Sequence, residues 1–248
     1  MTDSQMGFGF ESGHDEARAR DNEVDPTPAP VVAQGLSTYR DRLGSRCRPL
    51  RHSLLDPCAG SGVFGQQGRL LLGSHVVGIE KRSEEAEWLR RNYDAHRIGD
   101  ALDIVPTLGS FHLAATNPAF SLLAKLLPLL LRAVRAGGHV LLFGLNEWGT
   151  RGEESAELWK RYPPREQWRV GRTIRFRRGE NPKTGKPWGA DMRSYSWWVW
   201  ESDGRGNARP FLDAAPGRLT LELPELEPEL RRWEVFPGRE SPAEVYRG

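Results

Sequence analysis

Residues 53–65 impose the tightest constraint on this chain. Ser53-Leu54-Leu55-Asp56 reads as a short apolar strand ending in an acid. Pro57-Cys58-Ala59-Gly60-Ser61-Gly62 follows as a turn, and Val63 to Leu72 reads as a helix. Gly60 and Gly62 let the backbone bend tightly and approach a ligand with no Cβ in the way. In an open α/β sheet the crevice beyond the carboxyl ends of the strands is where ligands bind. The glycines at 60, 62 and 65 also satisfy Gly-x-Gly-x-x-Gly, so a nicotinamide dinucleotide is one reading of the turn and a purely structural tight turn is another.

The same rhythm continues downstream. His75 to Glu80 is a second strand ending in an acid, and Ser83 is placed to cap a helix reaching about Tyr93, with acids in its first turn. A brief strand near Arg97-Ile98-Gly99 ends at Asp100. Phe111 to Thr116 is a fourth strand, Ser121 to Arg135 a helix kinked or restarted near Pro128, and His139 to Leu145 a fifth strand after Gly137-Gly138. Repeated β-α-β alternation predicts a doubly wound, largely parallel sheet. Beyond it, Gly152 to Arg161 reads as a helix, Arg169 to Arg178 as an exposed strand alternating basic and apolar residues, and Ser194 to Trp200 as a strongly β-prone strand. Residues 1–25 are polar and unpatterned, which predicts a disordered segment. A folded domain is expected over 26–205, with a basic hairpin or loop insertion at about 165–193 and a Pro- and Glu-rich tail over 206–248.

Composition narrows the setting. No stretch approaches the roughly 20 apolar residues that span a bilayer, and the N-terminus lacks a basic region followed by an apolar one. Cys47 and Cys58 are too few for a disulfide framework and lack metal-ligand spacing, so a reducing, cytoplasmic protein without metal or membrane is expected. The net charge of +2 conceals an uneven distribution: Arg151 to Arg193 holds twelve Lys/Arg against six Asp/Glu, and seven of the nine tryptophans fall between Trp148 and Trp200.

Spacing assigns the strand ends. Glu80, about two dozen residues after Asp56, is placed to bond ribose hydroxyls. Asp100 is placed to accept from an adenine amino group, or to cap the helix beginning at Ala101. The fourth strand ends in Thr116-Asn117-Pro118-Ala119-Phe120. The Asn117 amide oxygen and the Pro118 carbonyl can accept the two N–H bonds of a planar amine and aim its lone pair, while Phe120 stacks on its ring. An Asn-capped turn leading into a helix is the structural alternative.

With acids closing three strands and Asn117 the fourth, the chain resembles the class I S-adenosylmethionine-dependent methyltransferases. Among these it is similar to the N6-adenine DNA methyltransferases, phage-associated forms included, whose target motif is Asn/Asp-Pro-Pro-aromatic. Leu54 to Gly65 resembles their donor-binding loop, and Asp25-Pro26-Thr27-Pro28 a Thr-Pro element flanking the donor's methionine part. Leu158 to Pro164 and Ser194 to Glu201 resemble the Pro-Pro pair and Tyr-x-Trp-aromatic-Val-Trp-acid strand of a phage-type subgroup. The resemblance covers about residues 25–201. It implies a seven-stranded Rossmann-like sheet, mostly parallel with an antiparallel C-terminal hairpin strand. It also implies S-adenosyl-L-methionine as cofactor, held by Thr27, Asp56, Gly60, Gly62, Phe64, Glu80, Asp100 and Asn117, with Asn117, Pro118 and Phe120 at the reacting centre. One departure stands out: Ala119 replaces the family's second proline, which removes a fixed φ but not the acceptor carbonyl.

DNA is the expected partner. Arg169, Arg172, Arg175, Arg177, Lys183 and Lys186 form a candidate phosphate-contacting surface, with Trp148 or Trp188 available to stack on a base or fill the gap it leaves. The alternatives are a solvated Arg-rich sheet edge, a methyltransferase of a protein amide or small amine, and a non-catalytic DNA binder with a decayed site.

Overall fold

The computed structural model describes residues 27–44, 52–150, 152–171, 173–176, 180–181, 184–209 and 217–221. Six helices, α1 Ala29–Arg42, α2 Val63–Leu72, α3 Ala86–Asn92, α4 Ala101–Ile104, α5 Leu123–Ala133 and α6 Glu153–Arg161, alternate with the strands of one large sheet. Those strands are β1 Ser53–Asp56, β2 His75–Glu80, β3 Ala95–Ile98, β4 Phe111–Thr116, β5 Val134–Leu145, β6 Glu166–Val170, β9 Tyr195–Glu201 and β10 Gly217–Leu221. A two-residue pair, β7 Glu180–Asn181 and β8 Lys186–Pro187, stands apart.

The order across the sheet is β10-β6-β9-β5-β4-β1-β2-β3. Chain order reverses at β1, which pairs in parallel with both β2 and β4. A reversal of this kind opens a crevice at the carboxyl ends of the strands. The β1–β5 block is all parallel, so Asp56, Glu80 and Thr116 finish on one edge. β9 runs antiparallel between β5 and β6, and its first residue, Tyr195, pairs Leu145 at that same edge.

Local sequence explains the elements. The α5 side chains Leu123, Leu126, Leu127, Leu130 and Leu131 recur at helical spacing and are buried, which holds the helix together although Pro128 lies within it. Every residue of β9 is buried, as suits an interior strand covered on both faces. Gly35 of α1 exists for this strand: a Cβ there would fall 2.2 Å from the Trp197 indole. α1 thus lies on Trp197, with Phe64 of α2 edge-on to the same ring at 5.9 Å.

Three expectations are corrected. The main sheet has eight strands, not seven, because Gly217–Leu221 adds in parallel to β6. The expected exposed strand over 169–178 is not found among its described residues, 169–171 and 173–176. β6 covers Glu166–Val170 only and is an interior strand between β9 and β10, with Arg169 its one exposed residue. Ser83 forms no side-chain cap; Ser83–Glu85 is a 3₁₀ turn leading into α3. Residues 1–25, the predicted disordered segment, lie outside the described residues.

Candidate active site at the carboxyl edge of the sheet

The turn after β1 takes its shape from the glycines. Gly60 and Gly62 have φ of +50° and +91°, left-handed values that glycine tolerates. A Cβ at Gly62 would lie 2.6 Å from the Asn92 side chain, whose Nδ2 donates to the Ser61 carbonyl at 3.2 Å. A Cβ at Gly60 would meet only Arg82 Nη2, at 3.9 Å, so that side of the turn is open. Gly65 and Gly78 both leave room for the Tyr93 ring. The third glycine of the Gly-x-Gly-x-x-Gly pattern is therefore a packing seat for Tyr93 and says nothing about which ligand lies above the turn.

Asp56 is fully buried beneath the turn. Its carboxyl accepts from the Tyr93 hydroxyl at 2.6 Å and from the Cys58 N–H at 3.2 Å. Burial raises this carboxyl to about 7 despite those hydrogen bonds, and burial also pushes up the Cys58 thiol and the Tyr93 phenol. Asp56 thus shapes the turn from below.

Glu80, largely buried, closes β2 beside the turn. Oε2 accepts from the Gly60 N–H at 2.7 Å, and Oε1 from the Arg82 N–H at 3.0 Å and Nε at 2.9 Å. Burial alone would raise its pKa, but the Arg82 side chain and the two backbone N–H groups outweigh it and hold Glu80 below the usual carboxylate range. A carboxylate with three bonds keeps acceptor capacity for a hydroxyl. Asp100 takes the capping position at α4, accepting from Leu102 N–H at 2.9 Å, and its other oxygen meets Lys81 Nζ at 3.1 Å. The Leu102 bond, then Lys81, keep it ionised.

Asn117 follows β4 directly. Its Nδ2 donates to Thr27 Oγ1 at 2.9 Å, joining two residues ninety positions apart and leaving Oδ1 as the amide's acceptor. Pro118 is buried. Ala119 has φ −55° and ψ 140°, inside the range a proline ring enforces, so the backbone holds without a second ring the φ that a proline there would impose. Phe120 is 37% exposed and stands edge-on to Trp148 at 5.7 Å. Trp148 folds back over β5 onto Gly144, where a Cβ would come within 2.3 Å. Behind it Trp159 makes edge contacts with Trp148, Trp198 and Trp200 at 6.3, 5.2 and 5.5 Å.

Of the predicted site residues, Thr27 and Asn117 are bonded to each other. The Gly60 N–H is bonded to Glu80, the Gly62 N–H closes the turn on the Ala59 carbonyl, and Asp100 stands two strands out. Phe64 packs in the core against Trp197. Arg169, Arg175 and Lys186 are exposed, while Arg172, Arg177 and Lys183 lie outside the described residues. Sequence reasoning missed Arg82, Asn92 and Tyr93, which brace the turn. The available signal was the polar Asn92-Tyr93 pair ending a helical pattern opposite two glycine-bearing segments. Among the described residues no group of three or more His, Cys, Asp or Glu is placed to hold a metal, and no helix is long and apolar enough to cross a membrane.

No family model matches this chain. Over 95 residues it is 30% identical to the ribosomal protein L11 methyltransferase of Methylobacillus flagellatus, which is 38% of this chain and 32% of that protein, so the chain spans about a third of that relative's length. The M protein of the Type I restriction enzyme EcoKI superposes with a TM-score of 0.55 at 10% identity, covering 83% of this chain and 50% of that one. The type IIG restriction endonuclease BpuSI superposes at 0.52 and 16% identity, covering 78% and 27%. With β1–β5 parallel, β9 antiparallel between β5 and β6, and the glycine turn at the point of reversal, the architecture is a Rossmann-like fold, shared with the EcoKI M protein.

Proposed function

We propose that this chain is an S-adenosylmethionine-dependent methyltransferase acting on an exocyclic amino nitrogen, adenine N6 in DNA being the favoured target. The observation that carries this reading is the Asn117–Thr27 hydrogen bond. It fixes the amide so that Oδ1 is the acceptor, next to the buried Pro118 and the exposed ring of Phe120. Methyl transfer to nitrogen depends chiefly on aiming the lone pair, and a side-chain oxygen, a backbone carbonyl and an aromatic face suit that task.

The residues of the turn fit the donor. The open side at Gly60 is a cradle that no Cβ fills, and Glu80 beside it is a carboxylate with acceptor capacity to spare. The donor supplies an electrophilic methyl on a sulfonium. Glu80 would hold its ribose hydroxyls, Asp100 its adenine amino group, and Thr27 with Asn117 would border its methionine part.

DNA is favoured by the Asn-Pro-x-Phe motif and by exposed Arg169, Arg175 and Lys186. The relative named for a ribosomal protein supports a second reading, in which the acceptor nitrogen belongs to a protein. Labelled donor incubated separately with DNA, RNA and protein, followed by identification of the methylated atom, tests both. Label at adenine N6 is expected, with DNA affinity falling steeply as salt rises. Label on protein alone would transfer the reading to a protein acceptor, and failure to bind the donor at all would overturn both.

A further inference from the structure

Met192 stands apart on this surface. At 84% exposure it is the most exposed large apolar side chain among the described residues. The residues on either side of it are nonetheless hydrogen-bonded. On one side the Asp191 N–H donates to the Ile174 carbonyl at 2.8 Å, and the Asp191 carboxyl accepts from Arg193 Nε and Nη2 and from the Tyr195 hydroxyl. On the other side Asn146 N–H donates to the Ser194 carbonyl at 2.9 Å. Arg193 is therefore spent inward, as a strut, and leaves Met192 projecting from a braced corner.

Its position and its neighbours narrow what the projection serves. Met192 lies three residues before Tyr195, which pairs Leu145 at the carboxyl edge of the sheet, the edge that carries Asn117 and Phe120. Ile174 and Asp191 are antiparallel bridge partners, and Ile174 is buried. Side chains alternate across a strand, so Thr173 and Arg175 share with Met192 the outward face of that bridge, and all three are exposed. A single unbranched apolar side chain flanked by a cation and a hydroxyl does not make the broad apolar patch of a protein interface. It does match the pairing of an apolar wedge with phosphate contacts by which proteins unstack a duplex step.

We propose that Met192 is the wedge that enters the nucleic-acid stack and occupies the space left when the target base turns out toward Asn117 and Phe120, with Arg175 on the adjoining phosphate. This rests on the reading above that the substrate is a base in DNA. An enzyme acting on a base within a duplex must pay for unstacking it, and a side chain that fills the gap offsets part of that cost. A single-stranded substrate presents no such cost.

The test compares Met192→Ala and Met192→Leu with the native full-length chain on one DNA sequence, presented as duplex and as single strand. 2-Aminopurine at the target position of the duplex reports unstacking directly. For Met192→Ala, kcat/KM on the duplex should fall about tenfold or more and the 2-aminopurine signal should drop, while single-strand activity stays within about twofold. Met192→Leu, which keeps the apolar bulk, should restore most of the duplex activity. Equal losses on both substrates, or no loss on the duplex, overturn the wedge and leave the methyltransferase reading standing. Methyl transfer by the native chain to neither DNA form overturns both.

Discussion

The two flanks of the crevice are built from different materials. On the β1–β3 side, charged and polar groups satisfy one another: Asp56 with Tyr93, Glu80 with Gly60 and Arg82, Asp100 with Leu102 and Lys81. On the β4–β9 side, the surface is made of rings, Phe120 on Trp148 on Trp159, seated on glycines at 144 and 149. The first flank holds its shape through directional bonds within the protein, and a ligand joins a network already complete. The second presents a fixed aromatic face and leaves selection to shape and stacking. A common methyl donor with a particular acceptor calls for that division.

Substitutions on one flank should therefore register in stability and donor binding, and on the other in turnover. The largest effect is expected from Gly62→Ala, which needs a left-handed residue and drives a Cβ into Asn92. Urea unfolding should show a loss of about 3 kcal/mol, and the thermal stabilisation by added donor should disappear. A variant of native stability would break the claim that the turn is braced by Asn92. Asn117→Ala comes next, with turnover down about a hundredfold and donor affinity changed less than about threefold. If donor affinity fell in step with turnover, the two flanks would be one functional unit and the comparison would fail.

Asp56 sharpens the comparison through pH. Its folded-state pKa, about 7, is raised above that of the unfolded chain, so the native state holds a proton the unfolded chain has released. Its stabilising contribution is complete below the unfolded value and is lost as pH climbs through 7. Between about pH 5 and about pH 7 the native chain should lose about 2 kcal/mol relative to Asp56→Asn, which has no proton to release. Chemical denaturation of both chains at the two pH values measures the difference, and parallel pH dependences would show that Asp56 does not titrate in this range. The smallest effect belongs to Ala119→Pro. Since φ is already −55°, proline should stabilise by about 0.5 kcal/mol through the unfolded chain and raise turnover only slightly. A large gain would mean that Ala119 leaves its observed conformation during the reaction.

What sequence reasoning could see tracks how local each cause is. Apolar runs ending at Asp56, Glu80 and Thr116, the glycine turn, and the α5 leucines each declare themselves within a dozen residues, and the parallel block followed from them. The Trp-rich segment at 195–201 was legible as a strand for the same reason. β10 was not, because its pairing to β6 joins positions fifty residues apart and nothing inside 217–221 specifies a partner. The status of β6 depended on that pairing, so the basic run beginning at Arg169 suggested an exposed strand where Glu166–Val170 is an interior one. In the site, residue types pointed to Asn117 and Glu80. The groups that orient them, Thr27 and Arg82, act through hydrogen bonds that no spacing rule encodes.

The run of rings from Phe120 through Trp148 and Trp159 to Trp198, with successive centroids 5.7, 6.3 and 5.2 Å apart, is also an optical device. Indoles this close exchange excitation among themselves, so light absorbed deep in the sheet at Trp198 can emerge at Trp148. Anything that docks on Phe120 changes the solvent and dipoles around that terminal indole. Under the proposed function, the protein therefore carries its own fluorescent reporter of acceptor binding, readable without a label and separable from donor binding on the opposite flank.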